Sequence, residues 1–579
     1  MGRLKDKRSM ELVNLATLVG FCLHCFFLLL LMKPASAQNG FVSLQCCAPS
    51  NSTDFSTNIS WNSDVNLFNN IGKCQEISSP MINDANYRWA RIFSPGPGNK
   101  WCYNLTTIKD QDYLIRGTFP SGLGFSPCID TFFNISFGTT SIGQVKSSDN
   151  SSVVQGIFRA TNHYIDFCLV VEKGSPYISE LELRPLGNFL YPELNLSNVL
   201  KVVSQVDVGN TKGVVRYPYD PSDRIWATSS SLSNSSITIS NTSISVNGAN
   251  ASVPVQVLQT ALMGKAQLQF IQNDLDLSNK NYYIFLYFLE LNGSVTKGER
   301  VFDIYVNGQK RYENFDVLGD GTISNYREAV FNASTENGIL NVTLIGVQHQ
   351  LGPICNAYEI LQVYTRSEGT IQQDVDVIME VKDELIANNP EKEFLLSWSG
   401  DPCLPFPWQG LGCQPRNSSA VITSLDLSSS DLQGSLPPRI TELANLKALN
   451  LSFNYFTGTI PSFPNSSMLT SMDVRNNELI GSIPESFSSL PYLTKLYFGC
   501  NLQLSNALPS GLLNHPNLTS DLGICVEGGS SLSVQQIIIF GVTGGCLLFA
   551  VAAGIIFMYN KRRLMGRGRL DRGKSLKTK

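Results

Sequence analysis

Residues able to run acid–base or nucleophilic chemistry are scarce in this 579-residue chain. Beyond the first 37 positions only His163, His349 and His515 could carry protons or bind a metal through imidazole, and they are far apart in sequence. Neither a G-x-S-x-G elbow nor an H-E-x-x-H helix occurs. Carboxylates are plentiful, yet no spacing singles out the pair that a glycosidase needs. No cysteines show the C-x-x-C…C-x-x-C spacing of a zinc site, and no cofactor or metal is expected. The chemistry on offer is of three other kinds: oxidation of thiols, glycosylation of asparagine and stacking on aromatic rings.

Of 14 cysteines, Cys22, Cys25 and Cys546 fall in apolar runs, leaving 11 for an oxidising compartment. Cys403 and Cys413 flank Trp408 and form the most secure predicted disulfide; Cys500 and Cys525 form a second. Pairing among Cys46, Cys47, Cys74, Cys102, Cys128, Cys168 and Cys355 is open, and the odd total implies a free thiol or an intermolecular bond. Sixteen N-x-S/T sequons begin at Asn51, Asn58, Asn104, Asn134, Asn150, Asn195, Asn234, Asn241, Asn250, Asn292, Asn332, Asn341, Asn417, Asn450, Asn465 and Asn517. Aromatic rings concentrate at Tyr87, Trp89, Trp101 and Tyr103 around the turn Ser94-Pro95-Gly96-Pro97-Gly98. Such rings could stack on pyranose faces; the alternative is that they are strand core or shield a disulfide.

These groups must be carried on the lumenal side of a membrane. Residues 1–37 read as a signal peptide, with Arg3, Lys5, Lys7 and Arg8 before an apolar run and an Ala35-Ser36-Ala37 cleavage site. Ile537 to Tyr559 contains no charge and is long enough for a transmembrane helix. Nine basic residues in 560–579 then place a cytoplasmic tail behind it. The expected location is the plasma membrane, single-pass type I, with the N-terminal region outside. The remainder of the chain carries 29 basic against 44 acidic residues, which argues against nucleic acid as a partner.

Short alternating strands fill Phe41 to about Tyr364, as in Phe302-Asp303-Ile304-Tyr305-Val306. Three landmarks recur in order: Tyr113–Phe119 in Tyr283–Phe288, FFNISFG (132–138) in FDIYVNG (302–308), and Pro176–Glu180 in Pro353–Glu359. Two β-sandwich modules are predicted, 38–190 and 191–368. A helix follows, with Val377, Ile378, Val381 and Leu385 on one stripe, and 374–420 reads as a helix and disulfide cap. Over 421–525 the pattern Ile422-x-x-Leu425-x-Leu427 repeats from Leu446, Leu469 and Leu493, at intervals of 24, 23 and 24. Ser430, Asn454, Asn477 and Asn501 keep step, which predicts a short leucine-rich-repeat solenoid.

Two β-modules, then SWSGDPCLPFPWQGLGC (397–413), leucine-rich repeats and one apolar span resemble plant malectin-like leucine-rich-repeat receptor kinases. CYNLTTIKDQDYLIRGTFP (102–120), IFRATNHYIDFCLV (157–170), YISELELRP (177–185), FLYFLEL (285–291), NAYEILQV (356–363) and LYFGCN (496–501) are similar to the family's symbiotic members, those of nodulation and mycorrhiza. The resemblance implies tandem malectin-like sandwiches and partners among receptor kinases, such as lysin-motif co-receptors. The tail shows no HRD, DFG or VAIK signature, and Gly566-Arg567-Gly568 is no phosphate loop, so no enzyme activity is expected. The reading is a membrane receptor or co-receptor for an extracellular ligand, signalling through an associated kinase in symbiotic or related pathways. Alternatives are a carbohydrate-binding, lectin-like membrane protein, or a truncated symbiosis receptor kinase.

Overall fold

The computed structural model describes residues 38–525, apart from 69–70, 78–87, 97–98, 121–129, 148–151, 188–189, 230–235, 245–250, 320–324, 336, 348–350 and 514–516. The signal segment, the apolar run 537–559, the basic tail, Tyr87, Cys128, His349, His515, Asn150, Asn234 and Asn250 therefore lie outside the described residues. Among the described residues no helix is long and apolar enough to cross a membrane.

Besides shorter strands such as Ser60–Ser63 and Trp89–Ile92, eight strands among the described residues frame a first block: β1 (Val42–Gln45), β2 (Lys100–Thr106), β3 (Asp112–Phe119), β4 (Phe132–Phe137), β5 (Thr140–Lys146), β6 (Ser152–Arg159), β7 (Tyr164–Lys173) and β8 (Glu180–Pro185). Eight more build a second: β9 (Asn198–Asp207), β10 (Gln267–Gln272), β11 (Asn281–Leu289), β12 (Val301–Val306), β13 (Gln309–Asp316), β14 (Tyr326–Ser334), β15 (Leu340–Gly346) and β16 (Ala357–Thr365). The first block orders its strands β1-β8-β3-β6 in one sheet and β2-β7-β4-β5 in the other. Adding eight to every label gives the second block, β9-β16-β11-β14 and β10-β15-β12-β13. The three repeated landmarks occupy β3 and β11, β4 and β12, and the approaches to β8 and β16. β6 pairs with β9, at Gly156↔Lys201, Ile157↔Leu200 and Phe158↔Val199, so one sheet runs through both blocks.

Burial follows position in the sheet. β12 alternates, with Phe302, Ile304 and Val306 inside, as a strand covered on one face should. β3 is buried along its whole length and β11 from Ile284 to Leu289, and both lie between neighbours on either side. Polar groups on β3 therefore need partners. Arg116 bonds Glu182 at 2.8 Å, Arg184 reaches Glu182 at 2.5 Å and Asp223 at 2.8 Å, and Arg216 adds a second cation to Asp223 at 2.8 Å. These cations hold the Asp223 carboxyl well below the ordinary carboxylate range despite its burial.

The chain forms two units, residues 1–382 with 390–422 and residues 383–389 with 423–579. The span 374–420, expected as one cap of the repeats, is thus divided, and most of it belongs with the β-blocks. In the second unit three-residue strands, Ala448–Asn450, Ser471–Asp473 and Lys495–Tyr497, stack in parallel with Leu449↔Met472 and Met472↔Leu496 in register. Buried Asn454 accepts from Ser430 and Leu432 amides at 3.1 and 3.0 Å and donates to the Leu427 and Leu451 carbonyls. Asn477 and Asn501 do the same one and two repeats on, reaching the Phe456 and Leu479 amides. An asparagine is required because it must donate and accept at once in a place without water.

Candidate functional site

Of the aromatic rings read as a platform or as strand core, Trp101 and Tyr103 are core. Trp101 and Tyr103 are 2% and 1% exposed and belong to the core of the first block. Trp101 stacks on Phe93 at 5.2 Å, Tyr103 donates to Asp64 at 2.9 Å, and Trp89 is half-buried on the short strand Trp89–Ile92. Alternation along β2 sends residues 101, 103 and 105 inward and gives the other face to Lys100, Cys102 and Asn104. That second face carries the site, and neither Lys100 nor Ser399 was singled out from sequence.

The loop of the GDPC motif is fastened to this face. Gly400 has φ +65°, and a Cβ there would lie 2.8 Å from Cys102 Sγ and 3.0 Å from Cys168 Sγ, so only glycine fits. Those two sulfurs form a disulfide across β2 and β7. Asp401 accepts from the Thr370 amide at 2.7 Å and hydroxyl at 2.6 Å, and from the Cys403 and Leu404 amides at 2.9 and 2.8 Å. Ser399 Oγ donates to the Lys100 carbonyl at 2.6 Å and accepts from the Cys102 amide at 3.0 Å. The buried Lys100 ammonium donates to the carbonyls of Asp401, Leu404 and Phe406. Burial pulls its pKa down to about 8, with Asp401 and Asp166 opposing the shift. Trp398 stacks on Trp408 at 5.2 Å beneath the Cys403–Cys413 bond, and both indole N–H groups donate to loop carbonyls.

Beside this loop lies a cleft of about 930 Å³, walled by β2, β7, the linker 366–370, the start of helix α1 (Gln372–Asn388) and residues 398–402. Its polar groups include Asn104, Asp166, Arg366 and Lys382; Tyr164 and Met379 add apolar surface. Burial pushes the Asp166 carboxyl up, while Asn104 and Lys100 oppose the shift. The Asp401 carboxylate in its lining is taken up by the Thr370 hydroxyl and by loop amides, and among the described residues no cluster could hold a metal.

The remaining predicted residues divide clearly. Cys500–Cys525 is bonded, as is Cys403–Cys413, and the open pairings resolve as Cys47–Cys74 and Cys102–Cys168. Cys46 and Cys355 are buried free thiols. Sequon residues Asn51, Asn58, Asn104, Asn195, Asn292, Asn332, Asn417, Asn465 and Asn517 are exposed; Asn241, Asn341 and Asn450 are partly so. Asn134 is a correction: it is 5% exposed, and that burial leaves no outlet for a glycan.

Residues 44–363 match the malectin-like domain family. The chain belongs to that family. Residues 445–466 and 468–490 of this malectin-like protein also match the leucine-rich repeat. A nodulation receptor kinase of Pisum sativum is 42% identical over 556 residues, covering 96% of this chain and 59% of that protein. A probable leucine-rich-repeat receptor-like serine/threonine-protein kinase of Arabidopsis thaliana is 29% identical over 467 residues, 76% of this chain and 49% of the relative. The malectin-like chain thus spans about half to three-fifths of the length of these relatives. The crystal structure of the ANX2 ectodomain from Arabidopsis thaliana aligns with TM-score 0.48 and 17% identity, over 56% of this chain and 97% of that one.

Proposed function

We propose that this malectin-like chain is the extracellular recognition region of a plasma-membrane receptor or co-receptor, taking a ligand or partner outside the cell and signalling through an associated receptor kinase in symbiotic or related pathways. One observation carries the reading: similarity to the nodulation receptor kinase extends over 96% of the chain, through both β-blocks, the GDPC loop and the repeats. The geometry supports recognition, since four disulfides and a buried asparagine ladder rigidify the surfaces on offer. On the reading of the repeats as a short solenoid, its ladder presents exposed Lys495 and partly exposed Arg475, the latter paired to Asp473 at 2.6 Å and lying 4.9 Å from the Tyr497 centroid. A partner kinase, such as a lysin-motif co-receptor, would engage this strip, and the run 537–559 would anchor the chain.

The test is an epitope-tagged chain in plant cells. Trypsin applied to intact cells should remove the body, and a receptor kinase should co-purify with it, several-fold less after Arg475→Ala with Lys495→Ala. A body protected from trypsin, or capture of no receptor kinase by folded, surface-displayed protein, would overturn the reading. Burial of Trp101 and Tyr103 weighs against the lectin-like alternative at those two rings.

A further inference from the structure

We propose that the cleft beside the GDPC loop is the seat of an N-linked glycan carried by Asn104, whose first N-acetylglucosamine residues pack between β2, β7 and the linker 366–370. The ligand is therefore a covalently attached N-acetylglucosamine core, and it rests on the extracellular reading, because N-glycosylation needs the lumenal route. Four observations meet at this point. Asn104-Leu105-Thr106 is a sequon, Asn104 is exposed, and its side chain lines the cleft. Asn104 Nδ2 donates to Asp166 Oδ1 at 2.8 Å. An amide nitrogen has two hydrogens, so the bond to Asp166 positions the carboxamide and leaves the second hydrogen for the glycosidic bond. The cleft, about 930 Å³, is in the range that accepts a ligand of this size, roughly 300–1,000 Å³.

The walls suit the sugar. Tyr164 is 50% exposed and lies two residues before Asp166 on β7, diagonal to Asn104 across the ladder, where an aromatic face can meet the C–H face of the ring. Arg366 also lines the cleft; its Nη2 donates to the Arg159 carbonyl at 2.9 Å, and its buried Nη1 has no hydrogen-bond partner among the described residues. A hydroxyl or acetamido oxygen is the kind of acceptor that nitrogen lacks. Two further sequons border the same place. Leu196 and Ser197, following Asn195, line the cleft, and Ser418, following Asn417, donates to Glu368, another lining residue. Of the three asparagines, Asn104 alone lines it.

The experiment uses the full chain expressed in cells restricted to oligomannose glycans. Peptide mass spectrometry should find Asn104 occupied. Endoglycosidase H on native protein should release its glycan at least tenfold more slowly than those of exposed Asn51 and Asn292, with the difference vanishing on denaturation. Thr106→Ala removes the glycan but keeps the Asn104–Asp166 bond, and should raise hydrogen exchange of 366–370 several-fold; Thr106→Ser keeps the sequon and should restore protection. An unoccupied Asn104 beside occupied Asn51 and Asn292 overturns the proposal and leaves the extracellular reading intact. Release at equal rates, or unchanged exchange in Thr106→Ala, also overturns it. No occupied sequon anywhere overturns both.

Discussion

The two β-blocks share one strand order but treat the same edge differently. In the first, the outward face of β2 is closed by the GDPC loop through Lys100, Cys102 and Ser399. In the second, the equivalent β10 shows Gln267, Gln269 and Ile271 to solvent, and Gln269 meets Asn341 of β15 by a hydrogen bond of 3.0 Å rather than a disulfide. A repeated fold therefore does not repeat its surfaces. What differs is a handful of side chains on one face of one strand, and they decide which block receives the segment that leads to the repeats.

Lys100→Met should break the contrast most strongly. Three loop carbonyls would lose their donor, costing about 3 kcal/mol in a thermal or urea melt, because buried acceptors without partners are expensive. Gly400→Ala comes next, at about 2 kcal/mol, from a left-handed φ together with a contact against disulfide sulfur. Asp207, at the end of β9, sharpens the picture for the second block. Burial pushes its carboxyl up to about 7, although Thr260 donates to it at 2.8 Å. The folded chain then holds a proton that the unfolded chain has lost, so this group's contribution to stability is fully present below about pH 4 and is lost as pH rises through 7. Asp207→Asn should remove roughly 1 kcal/mol of that loss per pH unit, read from melts between pH 5 and 6. Gln269→Ala on the open edge should change stability by less than about 0.5 kcal/mol, as surface substitutions do. A large effect there would erase the distinction between the two edges.

Much of this architecture was legible in the residues. The leucine period and its asparagines specify the parallel ladder because each position repeats its own contacts. The three landmarks marked the duplicated strands, since a central strand needs the same apolar run in both copies. The cleft was not legible, because Lys100 and the carbonyls it bonds are about 300 residues apart in sequence. Sequence leaves the aromatic rings open between a sugar platform and strand core for a local reason: rings beside a turn look alike whether they face in or out. Asn104 held the missing signal. A usable sequon must face outward, and by alternation Trp101 and Tyr103 must then face inward.

The seam between β6 and β9 has a mechanical consequence. Thr365, the last residue of β16, sits opposite Asn198, one residue before Val199, which is opposite Phe158 of β6. Tension applied through the polypeptide beyond Thr365 enters the continuous sheet where the duplicated halves are laced together. A pull from the C-terminal side therefore loads the β16–β9 ladder first, one strand away from the β6–β9 ladder that joins the halves.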